Sequence, residues 1–581
     1  MRSVSFKFLR ERMGRVWRAR AAALDVAPAP EDGRPLPSDI AEMLLAALDR
    51  HGPDMGPLEF ADEWLSRPPC HWHEYGVAME NLRLGILPPT SGRFNNDAYG
   101  ECTGGVFRAD VWGLIHPADP AEAAARAAED ARIEHFGAAV DTACFLAAVV
   151  AESFTTTELR ACLRAGLGQL RSGSRAAVCV EKALAAAHRW PDWRRGWAEV
   201  AADRGHPEPT NALLNLAGLV FALEAGGLDW PRTIDIVRAT GGDVCAKATA
   251  VATVLAVLGS EIEPPRRRTA ASARALPAAG AADESAPEDV FVDKLCQLAV
   301  ACAGPGVVEI AGAPYLPMPG PPVAPPERLV ARYEGVPVLA PGQERGVFLE
   351  RAGGPDDIPG ALELTAPEGL DVRTLGAVAV PGKIAARAVN VTMSGGTDRP
   401  GIVSAQVTRA GRTVAEARFG FRRAARYVAM GPFDNSDGGG LDRAYLPETR
   451  LGEEMEQGRT PFHTSTLVVS GDRVDVDAAF GALGPWVIYL LRAVNSPSAR
   501  DVTLRVGASD GVKLWLNGRK LLADDRRRFS TPNDFALPAR LRKGENLVAI
   551  KLARCGRRSD FRMRITERDS EEAALDLWDP F

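Results

Sequence analysis

The apolar period changes once along this 581-residue chain, and that change limits the folds open to it. Up to about residue 260 apolar residues recur at helical spacing, as in Ile40, Met43, Leu44, Ala47 and Leu48. Beyond about residue 329 they alternate, as in Val389, Val391 and Met393, or Val502, Leu504 and Val506. A helical stripe and an alternating strand face bury themselves differently, so the two halves need separate cores. Between them EIEPPRRRTAASARALPAAGAADESAPEDV has no apolar period and reads as a flexible linker. A short helix follows near 290–303, then an extended spacer with seven prolines between Pro314 and Pro326.

The expected fold is therefore multidomain: an all-α domain over 1–260, a linker over 261–326, and two β-sandwiches. The first sandwich, 327–424, has short strands over roughly a hundred residues and reads as immunoglobulin-like. The second spans 425–568, followed by a tail, 569–581. A length of 581 residues agrees with about three domains.

A net charge of −6 argues against nucleic acid as a partner. No transmembrane span or signal-type apolar run is visible. Nine scattered cysteines are not a disulfide framework, which points to the cytoplasm. Oligomeric state leaves no trace in the sequence. Residues 1–20 carry seven basic groups against Glu11, with Phe6, Leu9, Met13 and Val16 at helical spacing. They read as a surface helix or an overlong start to the reading frame, with a membrane-surface segment as the alternative.

The most informative stretch runs from Glu74 to Phe154. Leu87 to Thr103 is a long polar loop between helical patterns, the kind of loop that usually carries function. Asp119, Pro120 and Glu122 mark a helix start, Gly137 its stop, and Ala139 to Phe154 is apolar almost all round, as a central buried helix is. Thr155 and Glu158 then have capping-box spacing. Cys70, His71 and His73 lie together as CHWH, but without a second ligand pair they read as packing at a helix start. Trp190, Trp193 and Trp197 at helical spacing read as core packing before a stacking platform.

The order EYG, NLRLGILPP, SG, NN, GG, R, W, HPADP, AAARAAEDA, H, CFLAAVVAESF resembles the ADP-ribosylglycohydrolase family, in its larger bacterial branch, from about Asp39 to Gly259. The resemblance implies an all-α fold and two magnesium ions held by a pair of aspartates at one helix start and by a Gly-Asp-Asp-Thr-Asp-like junction at another. Here the first place offers only Asp39, and the second reads Gly242, Asp243, Val244, Cys245, Ala246, Lys247. The family's glycine-rich first helix has no counterpart in residues 1–35. Paired magnesium needs several carboxylates, so no cofactor is expected unless the family's activity survives. Polar positions of the family pattern persist at Asn81, Asn95, Asn96, Arg108, Asp110, Asp130 and His135. Two uses stay open for Arg108, Asp110, Asp130 and His135: contacts to a phosphate and ribose, or hydrogen-bonded scaffolding between alanine-rich helices.

In the last domain, Asn517 and Gly518 sit between two strand patterns and mark a type I′ hairpin. The series GPFDN, ASDGVKLWLNGRKLL and LRKGENLVAIKL resembles jelly-roll modules of the galactose-binding and PA14-like kind, which implies sugar binding. Trp515, opposite in facing to Leu514 and Leu516, is the candidate stacking platform; packing within the sandwich is the other use. Three functions compete. The first is a catalytically weak or silent binder of an ADP-ribose-like or glycan ligand. The second is an active glycosidic-bond hydrolase using Asp243 and Asp39. The third is a metal-independent glycan-processing enzyme using Asp110 and Asp130, which requires both carboxyls at one cleft.

Overall fold

The computed structural model describes residues 4–26, 37–52, 54–69, 73–260, 287–302, 308–309, 327–351, 361–380, 383–393, 401–448, 464–477, 484–528, 530–555 and 559–568, with isolated positions besides. The chain forms two compact units, 1–79 with 88–324, and 80–87 with 325–581.

The first unit is helical. Its helices are α1 (Phe6–Val26), α2 (Pro37–His51), α3 (Pro57–Ser66), α4 (His73–Arg83, of which 80–83 count with the second unit) and the single turn α5 (Thr90–Arg93). After a 3-10 turn at Val106–Arg108 come α6 (Asp110–Ile115), α7 (Pro120–Ala131), α8 (Ala138–Glu152), α9 (Leu159–Gly168) and α10 (Arg175–Arg189). α11 (Trp193–Arg204), α12 (Ala212–Gly226), α13 (Trp230–Ala239), α14 (Val244–Leu258) and α15 (Pro287–Cys302) complete it. A two-residue parallel pairing of β1 (Val4–Ser5) with β2 (Val308–Glu309) is its one described sheet.

α8 and α14 are the core. Phe145, Leu146, Val149 and Val150 on α8, and Val251, Val254 and Leu255 on α14, are fully buried, as all-round apolar helices must be. The start of α7 follows its sequence, since the Asp119 carboxylate accepts from Glu122 N at 3.0 Å and Pro120 opens the helix. The capping box expected at Thr155 and Glu158 does not form. α9 begins at Leu159, and the Glu158 amide donates to Thr156 Oγ1 at 3.0 Å instead.

The basic N-terminal segment is not a surface accessory. Leu9, Met13, Val16, Ala19 and Ala23 are fully buried where α1 packs on α14 and α15. Its charges find partners far along the chain: Arg10 pairs with Asp293 at 2.7 Å, and Arg15 Nη1 donates to Gly259 O at 3.1 Å, at the end of α14 where cations are favoured. α15, expected as a helix within the linker, instead buries Leu295, Cys296 and Ala299 in this unit, and Phe291 meets Trp17 at 4.7 Å. Trp197 contacts Phe221 at 5.7 Å, while Trp190 and Trp193 lie half-buried under Arg195 and Arg194. No helix among the described residues is long and apolar enough to cross a membrane.

The second unit holds two β-sandwiches. In the first, β3 (Glu327–Tyr333), β5 (Glu344–Arg351), β8 (Lys383–Met393) and β7 (Leu370–Val380) pair in that order. β6 (Ala361–Thr365), β9 (Gly401–Arg409) and β10 (Arg412–Arg423) form the opposing sheet. β4 (Val338–Leu339) and the start of β3 join β10 in parallel, so the first strand crosses between sheets. This is the four-plus-three order of an immunoglobulin-like fold. Val389, Val391, Phe419 and Phe421 fill its core, as the alternation required.

The second sandwich sets a six-stranded sheet, β12 (Thr464–Val469), β11 (Ala425–Asp434), β14 (Trp486–Ser496), β19 (Gly544–Arg554), β16 (Gly511–Leu516) and β17 (Arg519–Asp524), on a four-stranded one. The latter runs β13 (Arg473–Val474), β20 (Phe561–Glu567), β15 (Arg500–Ala508) and β18 (Phe535–Leu541). Ile488, Leu514 and Ile550 meet Leu504, Val506 and Phe561 between the sheets. Asn517 and Gly518 have φ of 50° and 79°, as a type I′ turn needs.

Trp515 is the main correction in this domain. It faces away from Leu514 and Leu516 as expected, yet is only 3% exposed. The chain after β11 covers it with Leu441, Leu446 and Leu451. That cover is held by Lys551, whose Nζ donates to Leu441 O at 2.7 Å and to Glu448 Oε1 at 2.7 Å. No ring face is left for a sugar.

Candidate functional site of the helical domain

The junction before α14 is built by its own sequence. Gly241 and Gly242 both have φ of 65°, and a Cβ on Gly242 would lie 2.7 Å from Asn215 Oδ1. Asp243, half-exposed, then caps α14: its Oδ1 accepts from Ala246 N at 3.0 Å. Its Oδ2 accepts from Thr103 Oγ1 at 3.1 Å, and its own amide donates to Asn215 Oδ1 at 2.8 Å. The end of the polar loop and the start of α14 therefore meet.

One turn further in, Lys247 is fully buried. Its ammonium donates to Thr240 Oγ1 at 2.7 Å and Gly241 O at 2.6 Å, bracing the turn that presents Asp243. Burial pushes its pKa down to about 7, with the Asp243 carboxylate acting in the opposite direction. At the places where the resemblance implies oxygen ligands stand Val244, half-buried, and Cys245 and Ala246, buried.

Beneath the loop lies a closed ionic cluster. Arg108, with no exposed surface, donates from Nε to Asp130 Oδ2 at 2.9 Å and from Nη2 to Asp130 Oδ1 at 2.8 Å and Glu134 Oε2 at 3.0 Å. Trp112 Nε1 also donates to Asp130, at 3.0 Å, and the guanidinium lies 5.5 Å from the Trp64 ring centre. Burial alone would lower the Arg108 pKa, but the two carboxylates outweigh it and hold the charge firmly. Glu134 is raised to about 7 by its burial, with Arg108 opposing.

His135 fastens the loop to this cluster. Gly105 N donates to its Nε2 at 2.8 Å, so the ring is neutral with its proton on Nδ1, which faces Gly100 O at 3.3 Å. Burial, reinforced by the charge of Arg108, pushes its pKa down to about 3. A Cβ on Gly105 would come 2.1 Å from Glu134 Oε1, and one on Gly104 2.2 Å from Glu74 Oε1, so the loop approaches as only glycine can. Asn96, also buried, donates to Gly92 O at 2.8 Å and Glu134 O at 2.7 Å.

Asp110 belongs elsewhere. It is fully buried, and its Oδ2 accepts from Arg20 Nη1 at 2.6 Å and Thr253 Oγ1 at 2.8 Å, joining α1, α6 and α14. Thr253 is ten residues beyond Asp243, about 15 Å along α14. Asp110 and Asp130 thus fail the requirement of two carboxyls on one cleft, because each is enclosed by its ion-pair partners. Asn81 is buried on α4, and Asn95 is half-exposed with φ of 55°. The side chain of Asp39, at the start of α2, and Cys70 and His71 lie outside the described residues; His73 stacks on Tyr99 at 4.6 Å. Among the described residues, no three His, Cys, Asp or Glu side chains gather as a metal site.

The sequence pattern did not single out Thr103, Asn215, Glu74, Glu134, Arg20 or Thr253. Glu134 alone carried a local signal, its spacing of four from Asp130, although α7 has ended at Ala131 before it.

Residues 12–303 match the family model described as ADP-ribosylglycohydrolase. The match begins within α1 and ends just past α15, and so extends at both ends beyond the span from about Asp39 to Gly259 over which the sequence resembles the family. No curated protein matches. Among solved structures, the PA14 domain of the MpAFP antifreeze protein aligns at 14% identity and a TM-score of 0.13, covering 37% of this chain and 86% of that one.

Proposed function

Because the chain belongs to the ADP-ribosylglycohydrolase family, we propose that its helical domain holds an ADP-ribose-type group at the seam of Thr103–Gly104 with Gly241–Asp243 without hydrolysing it. One observation carries this reading: Asp243 is committed to capping α14 and to Thr103, with a lysine ammonium one turn behind it. The donors present do not fit a pair of magnesium ions. Such ions take six oxygens each and require several carboxylates to offset four positive charges, whereas this junction offers one carboxylate, two buried non-oxygen side chains and an added cation.

Turnover through the metal route is the second reading, favoured by family membership itself. The test is release of ADP-ribose from an ADP-ribosylated protein by the full chain, with millimolar magnesium or with chelator. Silence in both, together with retention of free ADP-ribose that Asp243→Ala weakens, supports the binding reading. Magnesium-dependent release abolished by Asp243→Ala or Asp39→Ala overturns it.

A further inference from the structure

We propose that a cleft at the open side of the C-terminal sandwich binds an acidic carbohydrate, one bearing carboxylate or sulfate groups. The cleft has a volume of about 500 Å³, within the range of small-ligand sites. It lies where edge strand β17 of one sheet approaches edge strand β18 of the other. Among the described residues, three guanidinia, Arg519, Arg540 and Arg568, line it against the single carboxylate of Asp501. That local excess of +2 sits in a chain whose overall charge is −6.

The four groups are arranged rather than scattered. Asp501 stands directly across from Arg540 in the β15–β18 register and accepts from it at 3.0 Å; its other oxygen accepts from Arg568 at 2.9 Å. One carboxylate thus holds two guanidinia side by side, with Arg540 68% and Arg568 64% exposed. Arg519 has no hydrogen-bond or ion-pair partner among the described residues. It projects from a turn that is itself rigid: Asn517 Oδ1 accepts from Leu547 N at 2.9 Å and Arg542 Nη2 at 3.1 Å, and Asn517 Nδ2 donates to the fully buried Asn546 at 3.0 Å. A guanidinium fork held in place, as those of Arg540 and Arg568 are by Asp501, suits carboxylate or sulfate.

The rest of the lining selects among anionic partners. Among the described residues it contains no aromatic ring, so these offer none of the stacking platforms that hold single-stranded nucleic acid. Pro538, in the middle of β18, removes a backbone donor from that edge and works against the addition of a peptide strand. Leu521 and Pro538 leave aliphatic surface between the charges, on which the C–H face of a sugar ring can rest. The site is independent of Trp515 and of the helical domain's reading.

The test is titration of the full chain with a uronic acid oligosaccharide, a sulfated oligosaccharide and a neutral one of equal length, at low and at raised salt. At least one acidic oligosaccharide should bind, weakening with salt, while the neutral one does not. Arg519→Glu should weaken binding about tenfold or more, and Arg540→Ala with Arg568→Ala similarly, whereas exposed Arg412→Ala in the preceding sandwich changes nothing. Which acidic oligosaccharide binds distinguishes carboxylate from sulfate. Arg519 makes no contact whose loss would unfold the domain, so its variant decides the matter even if the double variant is unstable. No binding of either acidic oligosaccharide, indifference to Arg519→Glu, or equal binding of single-stranded DNA or polyglutamate overturns the proposal.

Discussion

Arg108→Met separates the two uses that the sequence left open for Arg108. The side chain is fully buried, and both of its acidic partners are too, with Asp130 at 4% and Glu134 at 0% exposure. Removing the cation leaves two carboxylates in a site with no solvent, and breaking a buried pair from one side costs about 3–5 kcal/mol. In a domain of a few hundred residues that corresponds to a fall in melting temperature of roughly 10 °C. Thermal unfolding of the full chain followed by far-ultraviolet circular dichroism at the helical band reads it. Adding Asp130→Asn and Glu134→Gln should return part of the loss, because the carboxylates, once neutral, no longer need the cation. A loss below about 1 kcal/mol, with no recovery in the triple variant, would refute the scaffold account and return Arg108 to ligand binding.

Other consequences concern the same loop and its neighbours. His135, at about 3 in the folded chain against 6.5 for its free imidazole, contributes stability that is complete above about pH 6.5 and is lost as pH falls toward 3. His135→Gln should flatten that dependence, by up to about 1.4 kcal/mol per pH unit, in denaturant titrations at pH 7, 5.5 and 4.5. Gly105→Ala places a methyl against Glu134 Oε1 and should cost about 1–3 kcal/mol in the same titrations. Trp515→Ala should cost about 3–5 kcal/mol as a core truncation while leaving acidic-oligosaccharide binding unchanged, which calorimetry checks.

Much of the architecture was legible because it rests on short-range pattern. The period-two runs at Val389–Met393 and Val502–Val506 became core strands, Asn517–Gly518 became the tight turn, and Asp119–Pro120 opened α7. What escaped depends on distant partners. The apolar stripe Leu9, Met13, Val16 was visible, but its cover comes from α14 and α15, more than 200 residues away. The facing of Trp515 was correct; the chain that buries it, near Leu441 and Leu446, is about seventy residues upstream and carries no local sign of that role. In the candidate site, the sequence leaves Asp110 and Asp130 open between reactive groups and scaffolding, because a carboxylate's sequence does not show what neutralises it. Arg20 and Arg108 do, and neither pairing is local.

Asp243 caps α14 and is braced by Lys247, and in the function proposed above it is not half of a magnesium cage. Calorimetric titration of the full chain with magnesium tests it most directly. We expect no magnesium binding tighter than millimolar, in the parent chain and in Asp243→Ala alike, with the variant losing the cap's contribution of about 1 kcal/mol in stability. Two micromolar magnesium sites that disappear in Asp243→Ala would contradict it.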